Sequence, residues 1–266
     1  MLVVALQGGL CNRLRVLLSA LHTLHTAPVA GGLRLCWQVS DECGARFEDI
    51  FEPLDEARMR IGPCPYWLRP VCRQNLHVPA LLRAVRFDAQ YTNFHPSEND
   101  LRELLGRFRR IYVSTCYPLL DYPPALGSAL HLRPALEERV ERLVRQFDRH
   151  TAGLHIRRTD HRPSIARSTD EAFSAAIDRI LRHEPRTRFF LATDSPETKE
   201  RFTARYGDRI LTAPAPLERD SRRGIEAAAV DLFALARTAR LYGSWYPSFT
   251  DMAAEIGGIE KHVITQ

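Results

Sequence analysis

The second half of the chain alternates short apolar runs with longer amphipathic segments, and this rhythm constrains the fold more than any other feature. Short apolar runs joined by amphipathic helices form βαβ units, whose strands pair in parallel. The pattern predicts a Rossmann-like sheet covered by helices. The predicted strands are 153–157, 188–193, 209–212, 240–244 and 262–265, and the predicted helices are about 169–183, 196–205, 224–238 and 248–256.

The first half starts with a strand, a glycine turn and a helix, but is less regular afterwards. Residues 41–88 contain several prolines and only weak periodicity, so their elements are left unassigned. Two α/β lobes facing a cleft are therefore predicted, an N-terminal lobe at 1–150 and a Rossmann-like lobe at 151–266. The predicted elements of the first half are strands 2–6, 33–38 and 111–114 and helices 12–26 and 134–149.

Composition excludes several classes of protein. A chain of 266 residues with 45% hydrophobic content can bury one large core or two modest ones, so it is globular. The net charge of +5 comes almost entirely from arginine, because Lys199 and Lys261 are the only lysines. Acidic residues are interspersed throughout and no basic block alternates with aromatics, which disfavours a nucleic-acid groove. Small anionic ligands fit this charge equally well.

The start of the chain and its cysteines indicate a cytosolic protein. The apolar run MLVVAL is too short for a signal peptide, and no stretch reaches the roughly 18 apolar residues of a membrane span. The cysteine spacings match no common zinc pattern, so partly buried free thiols are expected. The six cysteines are Cys11, Cys36, Cys43, Cys64, Cys72 and Cys116.

The segment GLHIRRTD, residues 153–160, concentrates the most chemistry. Its apolar run has strand-like alternation and ends in His155, Arg157 and Arg158. In open α/β sheets, ligands bind beyond the carboxyl ends of the strands, where paired guanidiniums can fork onto phosphate oxygens. A surface ion-pair cluster is the competing interpretation. The segment favours a site for an anion, with phosphate as the first choice.

The first corner of the chain, GGLCNR at residues 8–13, lets a backbone approach a ligand closely because glycine has no Cβ. It also aims helix N-terminal amides at that ligand. Neither GxxxxGK[ST] nor GxGxxG is present, so a P-loop or a standard dinucleotide site is not indicated. Asn12 either caps the helix or contacts the ligand, and Gly9 provides the close approach.

Three further segments fall at the same predicted edge or beside it. Asp194 and Ser195 follow a strand, and Ser195 with Pro196 suits the cap of the next helix. Asp231 lies in an apolar helix, where a buried carboxylate needs a partner, and it could accept paired N–H groups of a base. Ser248 begins a helix where hydroxyl and amide groups can hold phosphate, or it serves only as a cap.

In this order, the motifs GGLCNR, HIRRTD, FLATDSPE, VDLFALARTA and SWYPSFTDMAAEIGG resemble the fucosyltransferase superfamily of glycosyltransferases with the GT-B fold. That superfamily includes bacterial α1,6-fucosyltransferases of Nod factors, their animal counterparts and protein O-fucosyltransferases. The resemblance covers both ends of the chain. It implies GDP-fucose as donor, a glycan or other hydroxyl acceptor, inversion at the anomeric carbon, and neither a metal nor another cofactor.

The resemblance also implies roles for single residues. Arg157 matches the arginine that grips the donor diphosphate, and His155 matches the histidine that contacts the nucleotide. Asp231 matches the aspartate that reads guanine. Ser248 and Phe249 match the turn that holds phosphate.

Other matches are less direct. Asn12 matches an asparagine that faces the reacting sugar from the other lobe. Asp170 matches a proposed general base, although Glu171 could take that place because the preceding loop is longer. His161 stands where the motif usually has lysine, so phosphate contact there depends on the protonation of its imidazole or on Arg162. Arg158 is expected to support Arg157 by pairing with an acidic neighbour such as Asp160.

Two alternatives stay open: another nucleotide sugar as donor, and a non-catalytic protein that binds anions or nucleic acid. Acceptor recognition is expected in the irregular segment 41–88, where Asp41 and Trp67 are candidate sugar contacts. Trp37, just before that segment, is a third candidate. Burial in the core is the competing role for both tryptophans.

Overall fold

Two parallel sheets, each of five strands, organise the part of the chain that the structure describes. The structure is a computed structural model that describes residues 1–64, 80–159, 162–214, 218–245 and 248–266. One unit comprises Met1–Arg133 with Glu218–Glu226, and the other comprises Pro134–Leu217 with Ala227–Gln266. Each unit holds one of the sheets, so the predicted α/β architecture with two Rossmann-like lobes is confirmed.

The first unit is built on β1 in the middle of its sheet, in the order β3-β2-β1-β5-β4. All of its strand pairs are parallel. The strands are β1 (Leu2–Leu6), β2 (Leu33–Cys36), β3 (Met59–Gly62), β4 (Ala89–Thr92) and β5 (Ile111–Thr115). The helices are α1 (Leu10–Thr26), α2 (Phe47–Ile50), α3 (Ala80–Arg86) and α4 (Leu101–Arg107), followed by a 3-10 helix at Pro124–Ala129.

The second unit is built on β6, in the order β10-β9-β6-β7-β8, again with parallel pairs. Its strands are β6 (Thr151–Ile156), β7 (Arg188–Thr193), β8 (Ile210–Leu211), β9 (Leu241–Ser244) and β10 (Lys261–Ile264). Its helices are α5 (Pro134–Val144), α6 (Arg162–Arg167), α7 (Asp170–His183), α8 (Pro196–Tyr206), α9 (Arg222–Leu235, whose first residues belong to the first unit) and α10 (Ser248–Gly257). A 3-10 helix at Gly207–Arg209 precedes β8.

The division between the units differs from the predicted one at 150/151. Helix α5, predicted to lead from one half to the other, belongs to the second unit. Its carboxylates bind the guanidinium of Arg237 after α9, at 2.8 Å from Glu137 and 3.2 Å from Glu141. Residues 218–226 belong instead to the first unit, where the carbonyl of Arg219 accepts a hydrogen bond from the amide of Gly44.

Strand β6 sends alternate residues to opposite faces of the second sheet. Ala152, Leu154 and Ile156 join a buried cluster with Phe173 of α7 and Phe202 of α8. The intervening residues face the side of α9 and α10, where the backbone at residue 153 lies close to the side chains of Leu235 and Leu241. If the alternation continues beyond β6, Arg157 points to the side of α9 and α10, and Arg158 points to the side of α7 and α8.

Gly153 provides the first stability prediction. A Cβ at this position would lie 2.7 Å from Cδ1 of Leu241 and 2.9 Å from Cδ2 of Leu235. We expect Gly153→Ala to lower the free energy of unfolding by about 1–3 kcal/mol through overpacking, measured by urea denaturation. Gly106→Ala is the control, because the exposed Gly106 has no neighbour within 4 Å of the added Cβ. Equal stability of Gly153→Ala and the wild type would show that the site can relax.

Candidate functional site

The residues predicted to bind the nucleotide-sugar donor follow three neighbouring strands of the second sheet. Strands β6, β7 and β9 lie side by side in parallel, so their carboxyl ends meet at one edge. Residues 157–159 follow β6, Asp194 follows β7, and α10 begins shortly after β9. This edge is the usual ligand position in open α/β sheets.

His155 is held by the first turn of α10. Its Nδ1 lies 2.8 Å from Oγ1 of Thr250, and its ring stacks on Phe249 with centroids 4.7 Å apart at 24°. His155 is only 7% exposed and Thr250 is fully buried. The fold therefore brings His155 and Phe249, both predicted to bind the donor, into direct contact. Ser248 is the first residue of α10.

Arg157 lies two residues beyond His155, immediately after β6. Its amide donates a hydrogen bond to Oγ of Ser244, the last residue of β9, over 3.1 Å. The backbone of Arg157 is thus fixed beside the strand that leads to α10. The N-terminus of a ten-residue helix adds amide donors and a positive dipole end to this edge.

Arg158 extends to the opposite side, toward α7. Its Nε donates to Oδ1 of Asp170 over 2.8 Å, and its guanidinium lies over the ring of Phe173 at 5.7 Å. Burial lowers the pKa of Arg158, and the charge of Asp194 opposes that shift. The acidic partner of Arg158 is therefore Asp170, whereas the predicted partner Asp160 lies outside the described residues. These contacts favour a structural role for Arg158.

Asp170, predicted as a general base, begins α7 behind the cap residue Thr169. Its carboxylate pairs with the guanidiniums of Arg158 and Arg201, and the residue is 9% exposed. Both oxygens of this carboxylate already contact guanidinium groups, so the carboxylate is poorly placed to take a proton from an acceptor hydroxyl. In Glu171, the hydrogen bond from its own amide, followed by that from Thr169, lowers the pKa. The contacts favour a structural role for Asp170.

Asp194 closes the turn after β6. Its Oδ1 accepts the amide of Arg158 at 2.6 Å, and its Oδ2 accepts the hydroxyl of Thr159 at 2.6 Å. Both carboxylate oxygens of Asp194 therefore bind groups of the protein itself, which disfavours a contact between Asp194 and the nucleotide sugar. The neighbouring Ser195 caps α8 by accepting the amide of Thr198 over 3.1 Å, which confirms its predicted capping role.

Asp231 lies in α9 and differs from the other carboxylates of the unit. Its Oδ1 is buried and has no hydrogen-bond partner among the described residues. Burial raises the pKa of Asp231 to about 7, opposed by the positive charges of Lys199 and Arg139. A buried carboxylate without a donor is costly, so it marks a candidate binding position.

Asn12 lies in the first unit and does not cap α1. The helix begins at Leu10 with Gly9 in the cap position, so Asn12 is inside its first turn. The Oδ1 of Asn12 accepts from Nη2 of Arg15 over 3.1 Å. Gly8 has a φ of 79°, and a Cβ there would lie 2.7 Å from Nδ2 of Asn12. The capping interpretation of Asn12 is wrong, and ligand contact stays a prediction.

Sequence reasoning missed the residue that holds this corner, Arg13. Its side chain is fully buried, and burial lowers its pKa. It donates from Nε to the carbonyl of Gly8 over 2.8 Å and from Nη2 to Oγ of Ser40 over 2.9 Å. The signal available was an arginine directly inside an apolar helix, where a charge must have internal partners.

Some predicted contacts are corrected or fall outside the described residues. Trp37 is 1% exposed and donates from Nε1 to the carbonyl of Ala45, so it is a core residue and not a sugar contact. Asp41 is exposed. Trp67, His161 and Cys72 lie outside the described residues.

The part of the chain that the structure describes shows no group of three residues suited to hold a metal ion. No described helix is long and apolar enough to cross a membrane. The described cysteines form no disulfide with one another, and four of the five are buried; they are Cys11, Cys36, Cys43, Cys64 and Cys116.

No protein-family model and no curated protein matches the sequence. Solved structures do match the fold. NodZ α-1,6-fucosyltransferase co-crystallised with GDP aligns with a TM-score of 0.62 at 18% identity, covering 95% of this chain and 91% of that chain. A selenomethionine form of fucosyltransferase NodZ from Bradyrhizobium aligns with a TM-score of 0.63 at 18% identity, covering 99% and 94%.

A second group of similar structures is more distant in sequence. POFUT1 in complex with GDP-fucose aligns with a TM-score of 0.59 at 8% identity, covering 99% of this chain and 97% of that chain. The alignments span both units of the protein. The chain therefore has the GT-B fold of these fucosyltransferases, with two Rossmann-like lobes, as the motifs predicted.

Proposed function

We propose that this protein is an inverting glycosyltransferase that uses GDP-fucose as donor and a glycan or other hydroxyl compound as acceptor. The observation that carries the proposal is the carboxylate of Asp231, whose buried Oδ1 has no hydrogen-bond partner among the described residues, in the same unit as His155, Arg157 and α10. Support comes from the shared fold with proteins that were crystallised with GDP or GDP-fucose. The second unit would bind the donor, and the first would recognise the acceptor.

The proposed chemistry places positive charge at the leaving group. Glycosyl transfer passes through an oxocarbenium-like state as the diphosphate departs, so fixed cations and N–H dipoles at its oxygens lower the barrier. Arg157 would supply the guanidinium, and the start of α10 at Ser248 would supply amide and hydroxyl donors. Charge supplied in this way requires no metal ion. The proposal does not require Asp170 to act as the general base.

Asp231 would select the nucleotide base. The Watson–Crick edge of guanine presents two adjacent N–H donors, which match the two oxygens of one carboxylate. Rotation about the terminal torsion of an aspartate exchanges its oxygens, so either can face the ligand. Binding of the base would give the buried Oδ1, which has no partner among the described residues, a hydrogen-bond donor, and this favours binding.

Nucleotide binding gives a direct test of the proposal. We expect GDP to stabilise the protein by about 2.7 kcal/mol at one hundred times its Kd, a rise in Tm of about 5–10 °C. UDP, ADP and CMP at the same concentration should give smaller shifts, because their bases lack guanine's paired donors. Thermal shift with all four nucleotides measures this. Equal shifts would remove the guanine assignment, and a larger shift with UDP would favour another nucleotide sugar.

The transfer reaction itself requires the donor and a set of acceptors. Incubation with labelled GDP-fucose and a glycan panel should transfer label to at least one hydroxyl acceptor and release GDP. Binding of polyanions with a steep salt dependence, without GDP binding, would instead favour the non-catalytic alternative.

A further inference from the structure

The turn that carries Arg157 is held by side chains at the ends of two neighbouring strands, β7 and β9. Ser244 of β9 accepts the amide of Arg157, and Asp194 after β7 accepts the amide of Arg158 and the hydroxyl of Thr159. Each bond fixes a successive residue of the segment 157–159. The conformation of this turn is therefore specified residue by residue.

A buried ion pair connects the same turn to α7. Nη1 of Arg158 donates to the carbonyl of Arg157 over 2.7 Å, and Nε of the same guanidinium donates to Asp170 over 2.8 Å. The two side chains are 12% and 10% exposed, so water screens the pair weakly. Arg201 of α8 is a second cation on Asp170. A chain of contacts thus leads from α8 through Asp170 and Arg158 to the carbonyl group of Arg157.

We propose that Asp194 and the Arg158–Asp170 ion pair are positioning residues, which hold the backbone at Arg157 so that its guanidinium meets the donor diphosphate. The inference rests on the proposed role of Arg157 as the diphosphate contact. Asp170 and Asp194 would not touch the donor. A misplacement of about 1 Å in a charged contact can cost about 100-fold in rate, so a rigid support for Arg157 has a large effect.

Charge supports this assignment. A carboxylate facing a diphosphate would repel it, whereas Asp170 and Asp194 spend their acceptor positions on the protein's own donors. Arg158 likewise directs its guanidinium to Asp170 and a main-chain carbonyl. The three residues form a connected hydrogen-bond network around the turn, which suits support and not ligand contact.

Replacing Asp170 with asparagine tests the inference through ligand binding. Asp170→Asn removes the charge with little change of shape, and we expect it to weaken GDP about tenfold by calorimetry, a loss of about 1.4 kcal/mol. Guanosine lacks the diphosphate, so its affinity should stay unchanged. The matched control is Asp178→Asn, since Asp178 also lies on α7 and pairs with an arginine of α8, Arg205, over 2.8 Å. Asp178→Asn should alter neither affinity.

A double-mutant cycle separates positioning from an independent role. In an Arg157→Ala background, Asp170→Asn should cause no further loss of GDP affinity, because the group it positions is gone. Full additivity of the two losses, or an unchanged GDP affinity of Asp170→Asn alone, would overturn the inference. Asp194→Asn carries the same expectations and replaces Asp170→Asn if that variant does not fold. A wild-type protein that binds neither GDP nor guanosine would instead contradict the proposed function.

Discussion

Replacing Arg157 with alanine should lower the rate of donor turnover by about 10²–10³-fold, because a fixed charge at the leaving diphosphate is lost. The amide that bonds Ser244 remains in the variant, so the fold should be retained. Release of GDP from GDP-fucose, with water or a glycan as acceptor, measures the effect. GDP should also bind more weakly, while guanosine binds as before.

Two further variants sharpen the result for Arg157. Arg157→Lys keeps the charge but not the planar fork, so its turnover should lie between those of the wild type and Arg157→Ala. Arg186→Ala is the control, because Arg186 is an exposed arginine before β7 in the same unit. Wild-type turnover in Arg157→Ala would remove the proposed role of this residue.

The second half of the fold could be predicted closely because its periodicity is strong. The predicted strand 188–193 is β7 itself, and the predicted helix 248–256 is α10 with one residue fewer. Each helix of this half packs one apolar face on a central sheet, so its sequence alternates clearly. Local pattern and tertiary packing agree there.

The first half was harder because its outer strands are short. Strands β3 and β4 have four residues each and form the two edges of their sheet. β4 alternates half-buried with exposed residues, and only Met59 of β3 is buried. Such strands are specified by pairing with β2 and β5, which are distant in sequence, so a local pattern does not reveal them.

The site shows the same limit. The sequence places Arg157 and Arg158 together, but only the alternation of β6 shows that Arg158 turns toward α7. The pairing of Arg158 with Asp170 joins a strand end to the next helix, and no local motif predicts it. Residue type and spacing could identify the anion-binding edge, whereas the division between ligand contact and support depends on tertiary contacts.

Stability should depend on pH through Asp231. The pKa of Asp231 is about 7 in the folded protein, above the value of 3.8 expected for an unburied carboxyl group. The folded state therefore holds this proton more tightly, and the free energy of unfolding falls as pH rises from about 4 to 7. Three pH units correspond to about 4 kcal/mol. Asp231→Asn should match the wild type near pH 4 and be more stable at pH 8, measured by urea denaturation.

Guanosine binding should show the complementary dependence, because an ionised Asp231 is needed to accept the two N–H groups of guanine. Below pH 7 the unliganded carboxyl group is mostly protonated, so binding must release a proton and the affinity should fall up to tenfold per pH unit. Guanosine carries no phosphate, so its calorimetric titration between pH 5 and 8 isolates this group. Asp231→Asn should bind weakly at every pH with no such slope. The same slope in Asp231→Asn would assign the pH dependence to another residue and leave Asp231 as a destabilising carboxyl group. In the wild type, stability that falls and guanosine affinity that rises with pH would instead show that Asp231 serves the ligand at the expense of stability.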